Sequence, residues 1–260
     1  MYEFLSYGAG VNSTALLVLR KPKVAVFANT SGEWPETYGY IHEVVLPYCA
    51  AHGIEFIQTM HQKWTLEEMA LHDHLAPART MRWCSDKFKV RIIRQWLERN
   101  GKLPCVQMIG FDSNEVHRAQ PSGTPDIVNI FPLIEMGIDR PACKQIILDA
   151  GLPLPGTPGG KSGCFFCPFQ SKGNFIELKQ AHPDLFERAA RIEANASNFD
   201  QGFYLAGDKP LADWIKTGRI RHDEDQLGLF RCACYSGDMT HEIQTANDRE
   251  AVDGAHGEPG

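Results

Sequence analysis

No apolar run in this chain approaches the roughly 18 residues that cross a bilayer, so a membrane span is not expected. The N-terminus has neither a basic start nor a long apolar stretch, and no signal peptide is expected there. There is no excess of positive charge. The 260 residues carry a net charge of −6, which argues against a generally basic nucleic-acid surface. A local basic patch stays open, because Arg79, Arg82, Lys87, Lys89, Arg91 and Arg94 are close in sequence. No internal repeat is present. Without a secretion signal, the eight cysteines point to a reducing, cytoplasmic setting, where metal binding or catalysis is favoured over disulfides.

What is present is strand and helix in alternation. An apolar content of 43% and a charged content of 22% suit a soluble globular protein. Tyr2 to Leu5, Lys23 to Ala28, Ile54 to Gln58, Val106 to Ile109 and Ile127 to Phe131 read as strands. Helices are expected after Thr14, over Glu36 to His52 with a kink or end at Pro47, and over Thr65 to His74 behind a Thr65 cap. Others are expected from a Ser85 cap to about Arg99, and over Pro141 to Ala150 behind Asp139. The pattern predicts an α/β fold: a doubly wound, mainly parallel five-stranded sheet. Ligands of such sheets bind at the carboxyl ends of the strands. The loops 6–14, 29–36 and 110–118 should therefore converge. Gly151 to Ser162 holds four Gly and three Pro and reads as a linker. The expected division is residues 1–150 as the nucleotide-binding domain, 151–244 as a cysteine-containing helical extension, with helices near 174–181 and 183–195, and 245–260 as a disordered tail.

The loop after the first strand reads Ser6-Tyr7-Gly8-Ala9-Gly10-Val11-Asn12-Ser13-Thr14. Glycines admit an anion close to the backbone. The helix N–H groups, with hydroxyls from Ser6, Ser13 and Thr14, can then surround a phosphate. It is not a Walker A loop, because no Lys follows Gly10. Nor is it a dinucleotide fingerprint, because Ser13 occupies the position of the third Gly. Cysteine supplies the other signal. Cys164-Phe165-Phe166-Cys167-Pro168 is a Cys-x-x-Cys pair, and Cys232-Ala233-Cys234 is a second pair. Together they can close one tetrahedral site for zinc or an iron–sulfur cluster. Cys84, before an expected helix start and among cations, reads as a reactive thiolate or an alternative ligand. Cys49, Cys105 and Cys143 lie in apolar segments and read as core.

The loop resembles the Ser-Gly-Gly-x-Asp-Ser PP-loop of ATP pyrophosphatases, with Asn12 in place of the usual Asp. Further segments are similar, in order, to elements of the phosphoadenosine phosphosulfate reductase-like family. They are Phe27-Ala28-Asn29-Thr30-Ser31-Gly32-Glu33, Arg82-Trp83-Cys84-Ser85-Asp86-Lys87-Phe88-Lys89 and Gly110 to Arg118. Phe131-Pro132-Leu133-Ile134-Glu135 with Ser162 to Pro168 resembles its cysteine-rich, often phage-encoded branch. The resemblance implies an adenine nucleotide alpha hydrolase-like fold and adenylation by ATP with loss of pyrophosphate. Sulfur transfer to the activated acceptor would follow. It implies nucleotide contacts from Ser6, Gly8, Gly10, Asn12, Ser13, Thr14, Asn29, Thr30 and Glu33. Charge stabilisation would come from Lys87, Lys89 and Arg118, with Glu115 holding Mg2+ or orienting Arg118. Cys84 would be nucleophile or ligand. Cys164, Cys167, Cys232 and Cys234 would hold a [4Fe–4S] cluster, with zinc as the alternative. The expected partners are a nucleotide substrate and an acceptor, nucleic acid or small molecule; a homodimer is compatible with the chain. Two alternatives stand beside this reading. One is a true phosphoadenosine phosphosulfate reductase, although the tail lacks that enzyme's Glu-Cys-Gly element. The other is a non-catalytic, metal-stabilised module binding nucleotide or nucleic acid.

Overall fold

The structure, a computed structural model, describes residues 1–80, 82–157, 162–196, 204–206 and 209–214. Cys232, Cys234 and the tail from 245 lie outside the described residues.

Five parallel strands form one sheet: β1 (Tyr2–Tyr7), β2 (Val24–Asn29), β3 (Glu55–Met60), β4 (Cys105–Ile109) and β5 (Ile127–Ile130). Their order is β3-β2-β1-β4-β5. Register pairs Ser6 of β1 with Val26 on one side and Ile109 on the other. β2 is buried at every position, as its unbroken apolar run demands of a central parallel strand. Side chains alternate across β1. Leu5 and Tyr7 join one core with α1 (Val11–Arg20), α3 (Leu46–Ala51) and α8 (Arg140–Asp149). Phe4 joins the opposite core with Ile93 and Leu97 of α6 (Arg91–Arg99). Helices thus cover both faces, and each fully buried Leu or Phe contributes on the order of 2 kcal/mol. Chain order reverses between β1 and β4, the crevice where open α/β sheets take ligands.

The expected helix over 36–52 does not end at Pro47. It runs as α2 (Pro35–Tyr40), a π-helical segment (Ile41–Val45) and α3. Proline cannot donate to the preceding turn and its ring crowds that turn's carbonyl. The wider π turn just before it relieves both problems. Ser85 is not a cap. The helix starts earlier, as α5 (Trp83–Ser85), and passes through a second π segment (Asp86–Val90) into α6. Thr65 caps α4 (Leu66–His72) with Glu68 in a reciprocal box, and Asp139 caps α8, both as the sequence predicts. A short α7 (Pro132–Glu135) follows β5.

A further core joins the two halves of the chain. Trp34, Leu66, Met69 and Phe88 pack against Phe165, Phe166, α9 (Lys172–Ala181) and α10 (Pro183–Asn195). Two carboxylates fasten its rim. Glu67 of α4 takes Arg188 and Arg191 of α10. Glu193 accepts the backbone N–H groups of Leu205 at 2.7 Å and Leu211 at 2.6 Å, the latter starting α11 (Leu211–Trp214).

Burial raises the Glu193 carboxyl above its ordinary value, with Asp213 adding to the rise. A raised folded pKa gives stability that is complete below the unfolded value of about 4.3 and is lost as pH climbs through the folded one. The stability advantage of wild type over Glu193→Gln should therefore shrink between pH 4.5 and 7.5 in urea melts. A pH-independent difference would refute the assignment.

Candidate functional site

Two loops meet at the crevice, and a third, after β2, lies along the same edge of the sheet. The first leaves β1 through Gly8, which is exposed, and Ala9, which holds a left-handed φ of 55°. Gly10 is extended and precedes α1. The Ser13 hydroxyl donates to the Gly10 carbonyl at 3.1 Å and accepts the Gly10 N–H at 3.2 Å, which fixes the turn. Ser6 is half-buried within β1.

The loop after β4 lies directly against this turn. A methyl on Gly110 would stand 2.9 Å from the Ser13 nitrogen, so only glycine permits the approach. The chain then enters a 3-10 helix (Ser113–Arg118) capped by Asp112. Asn12 donates its amide to Asp112 and to Glu115, each at 2.9 Å. Its Oδ1 has no partner among the described residues, although the side chain is 7% exposed. Glu115 also pairs with Arg118, whose guanidinium lies 4.3 Å above the Phe111 ring. Phe111 stacks in turn on Phe131 at 5.8 Å. A continuous chain of contacts thus runs from the phosphate-type loop through two carboxylates to a stacked arginine.

The loop after β2 carries the third set. Asn29 accepts from the Ser31 N–H at 2.8 Å and the Tyr38 hydroxyl at 2.9 Å. Ser31 holds a φ of 59°, the conformation the inserted or substituted residue needs before Gly32. The Thr30 hydroxyl lies 3.2 Å from the Cys164 sulfur. Glu33 is buried, and its carboxylate meets the Lys89 ammonium at 3.6 Å. The Glu33 charge is the main cause raising the Lys89 pKa above the usual ammonium range, against the effect of burial; the thiols of Cys164, Cys167 and Cys84 add to the rise. The Lys89 side chain keeps 43% of its surface open, so solvent reaches the pair.

The Cys-x-x-Cys turn is bound to this loop. Cys164 bridges Glu33 in antiparallel fashion, and the Phe165 N–H donates to the Gly32 carbonyl at 2.8 Å. Burial, then the Glu33 charge, push the Cys164 thiol well up.

Among the described residues no group of three or more His, Cys, Asp or Glu side chains stands ready for a metal ion. Likewise, no described helix is long and apolar enough to cross a membrane.

No protein-family model matches the chain. An uncharacterised protein of Methanocaldococcus jannaschii is 22% identical over 242 residues. That alignment takes in 84% of this chain but 45% of the relative, so the chain spans less than half the length of the protein it matches. Among solved structures, phosphoadenylyl-sulfate (PAPS) reductase from Candida auris, in a phosphate complex, is similar with a TM-score of 0.45 and 16% identity. The superposition covers 60% of this chain and 75% of that one.

Several sequence expectations need correction. The Thr14 hydroxyl is 3.0 Å from the Tyr7 hydroxyl, in a residue 1% exposed, and does not face the turn. Thr14→Val should cost about 2 kcal/mol, because the Tyr7 hydroxyl is left buried without its partner. Its ATP affinity should stay within about twofold, since no ligand group is removed. A larger loss of affinity in a titration would return Thr14 to the binding set.

Lys87 does not join Lys89 at Glu33: its ammonium lies 3.8 Å from the Met69 sulfur and 4.0 Å from Asp73. Three of the cations of the basic stretch have partners of their own. Arg79 donates to the Pro168 carbonyl, Arg94 pairs with Asp126 and Glu98, and Arg91 pairs with Asp86. Nor does Cys84 meet the expected conditions of a stabilised thiolate. Burial and then Cys167 raise its pKa, and the Ser85 N–H, Lys89 and Arg82 only partly offset them. Asp112, which carries no role in the sequence reading, is 3% exposed at the centre of the Asn12 contacts. Its Asp-x-x-Glu spacing with Glu115 is a capping signal that was legible.

Proposed function

We propose that this chain is a nucleotide-using enzyme that binds ATP over the turn at residues 8–13 and adenylates an acceptor. The carrying observation is the contact of Asn12 with both Asp112 and Glu115 at the junction of the first and fourth loops. It joins an anion-binding type of turn to a stacked arginine at the ligand edge of the sheet. In this reading an acceptor oxygen attacks the α-phosphorus. The bond to the bridging oxygen breaks, and pyrophosphate departs with its electron pair. Negative charge grows on the phosphate oxygens, so cations held beforehand near them lower the barrier. Arg118, fixed by Glu115 and Phe111, and Lys89, fixed by Glu33, are the candidates. Mg2+ travelling with the nucleotide would find oxygen ligands in Asp112 and Glu115.

Sulfur transfer is the second proposed step: a sulfide held at the site attacks the activated carbon, the new carbon–sulfur bond forms, and AMP leaves with the electrons of the carbon–oxygen bond. Cys84, Cys164 and Cys167 belong to one core, and the Cys164 sulfur lies 3.7 Å from the Glu33 carboxylate that Lys89 meets, which supports a sulfur-bearing centre there. The described residues do not complete a metal site. A cluster or zinc would need further thiolates, for which Cys232 and Cys234 are the candidates from the sequence. A brown anaerobic preparation with a broad visible absorbance would support the cluster, and a colourless, metal-free one would remove it.

The adenylation test is pyrophosphate release from ATP across a panel of nucleic-acid and small-molecule acceptors, with Arg118→Ala as control. Acceptor-dependent release that falls at least about a hundredfold in the control supports the reading. Sulfite release from phosphoadenosine phosphosulfate with thioredoxin would replace it by the reductase. ATP binding without turnover on any acceptor would leave a binding module.

A further inference from the structure

Gly10 stands at the tip of the first loop. A methyl placed on it would come within 2.8 Å of the Ser162 hydroxyl oxygen. That serine lies two residues before Cys164, on the far side of the chain in sequence, yet it rests against the turn that precedes α1. The same short segment is tied to the loop after β2 three times over. The Phe165 N–H donates to the Gly32 carbonyl, the Cys164 sulfur meets the Thr30 hydroxyl, and Phe166 fills the space beside Gly32, where a methyl would stand 3.1 Å from the ring. One stretch, Ser162 to Phe166, therefore spans from the anion-type turn to the Thr30 and Glu33 loop.

A hydroxyl at that place has a chemical use. The turn supplies backbone N–H groups from one side only. A phosphate held there keeps oxygens directed away from α1, and these need donors from elsewhere. We propose that Ser162 is a further phosphate ligand, donating its hydroxyl to the nucleotide and thereby clamping the Cys164 turn when the site fills. The proposal rests on the ATP-binding reading and adds to it a ligand from outside the loop and a consequence for the thiol. With nucleotide bound, the turn has an extra anchor at Ser162. Cys164, 8% exposed, is reached by a reagent only when that turn opens. Nucleotide should therefore protect it.

The test uses the full chain in three forms: wild type, Ser162→Ala and Ser162→Thr. ATP and inorganic pyrophosphate are titrated calorimetrically, and alkylation of Cys164 by a maleimide is followed by peptide mass spectrometry with and without ATP. Loss of a hydrogen bond to a charged phosphate should weaken both ligands about tenfold in Ser162→Ala. Ser162→Thr, which keeps the hydroxyl, should stay within about threefold. ATP should slow Cys164 labelling in wild type and Ser162→Thr but not in Ser162→Ala. A thermal melt separates misfolding from loss of a ligand, and Ser162→Thr carries the comparison if the alanine variant is unstable. Equal affinities and equal protection in wild type and Ser162→Ala would overturn the role of Ser162 while leaving ATP binding intact. Absence of ATP and pyrophosphate binding in wild type would overturn the underlying reading, and this proposal with it.

Discussion

Asn12→Asp is expected to lower stability by about 3 kcal/mol at neutral pH, in the absence of divalent cations. The Asn12 amide now donates to two carboxylates, Asp112 and Glu115, at 2.9 Å each. The substitution exchanges that donor for a third negative charge in a place 7% exposed. Two hydrogen bonds become two repulsions. Arg118 offsets part of the effect, but it already pairs with Glu115, and nothing comparable faces Asp112 among the described contacts. For a chain of this size the loss corresponds to a fall in Tm of about 10 °C.

The pH dependence has a definite sign. Two carboxylate neighbours raise the folded pKa of the new carboxyl above its unfolded value of about 3.9. The destabilisation is therefore full at pH 7.5 and fades as the group takes up a proton on acidification. Mg2+ should also relieve it, because three oxygens then surround a space suited to a hard cation. Thermal melts of wild type and variant between pH 4.5 and 7.5, with and without Mg2+, decide the matter. A variant as stable as wild type at pH 7.5 without Mg2+ would show that Asn12 is not held between the two acids.

Gly110→Ala is the other large expected loss, of about 2 to 3 kcal/mol, together with a loss of ATP affinity beyond tenfold. The added methyl meets the Ser13 nitrogen at 2.9 Å, the Ser13 Cα at 3.0 Å and the Asn12 carbonyl carbon at 3.1 Å. All three are backbone atoms and cannot turn aside. Either the end of β4 or the start of α1 must shift, and a shift of α1 moves the N–H groups of its first turn. Gly10→Ala offers the contrast. Its closest contact is the Ser162 hydroxyl, which can rotate away, so its effect on stability should be the smaller. Chemical denaturation and ATP titration of both variants measure this, and equal costs would mean that the Gly110 approach is looser than described.

The architecture was legible because its signals are local. Lys23 to Ala28 is apolar without a break, and only a strand covered on both faces tolerates that. Thr65 with Glu68 and Asp139 before Pro141 announce helix starts within one turn of chain. Pro47 left a kink or an end open, because its clash can be met by widening the helix as well as by ending it, and the choice depends on the packing of Ile41 and Val45 in the core. The site was legible in outline, as three loops at one sheet edge. Its details were not. The cations between positions 79 and 94 look alike in sequence, yet only Lys89 finds the buried Glu33, while Lys87 turns to Met69 and Arg94 to Asp126.

By itself the sequence determined the strands, the glycine turn, the Thr65 and Asp139 caps and the candidate loops, since each follows from propensity and spacing within a few residues. Tertiary structure alone decided which charges meet, which hydroxyls face the turn and which thiols share one core. Asn12 and Asp112 are 100 positions apart, and Cys164 and Glu33 are 131 apart. No local pattern encodes such pairs, because they exist only once the parallel sheet brings the ends of β1, β2 and β4 side by side.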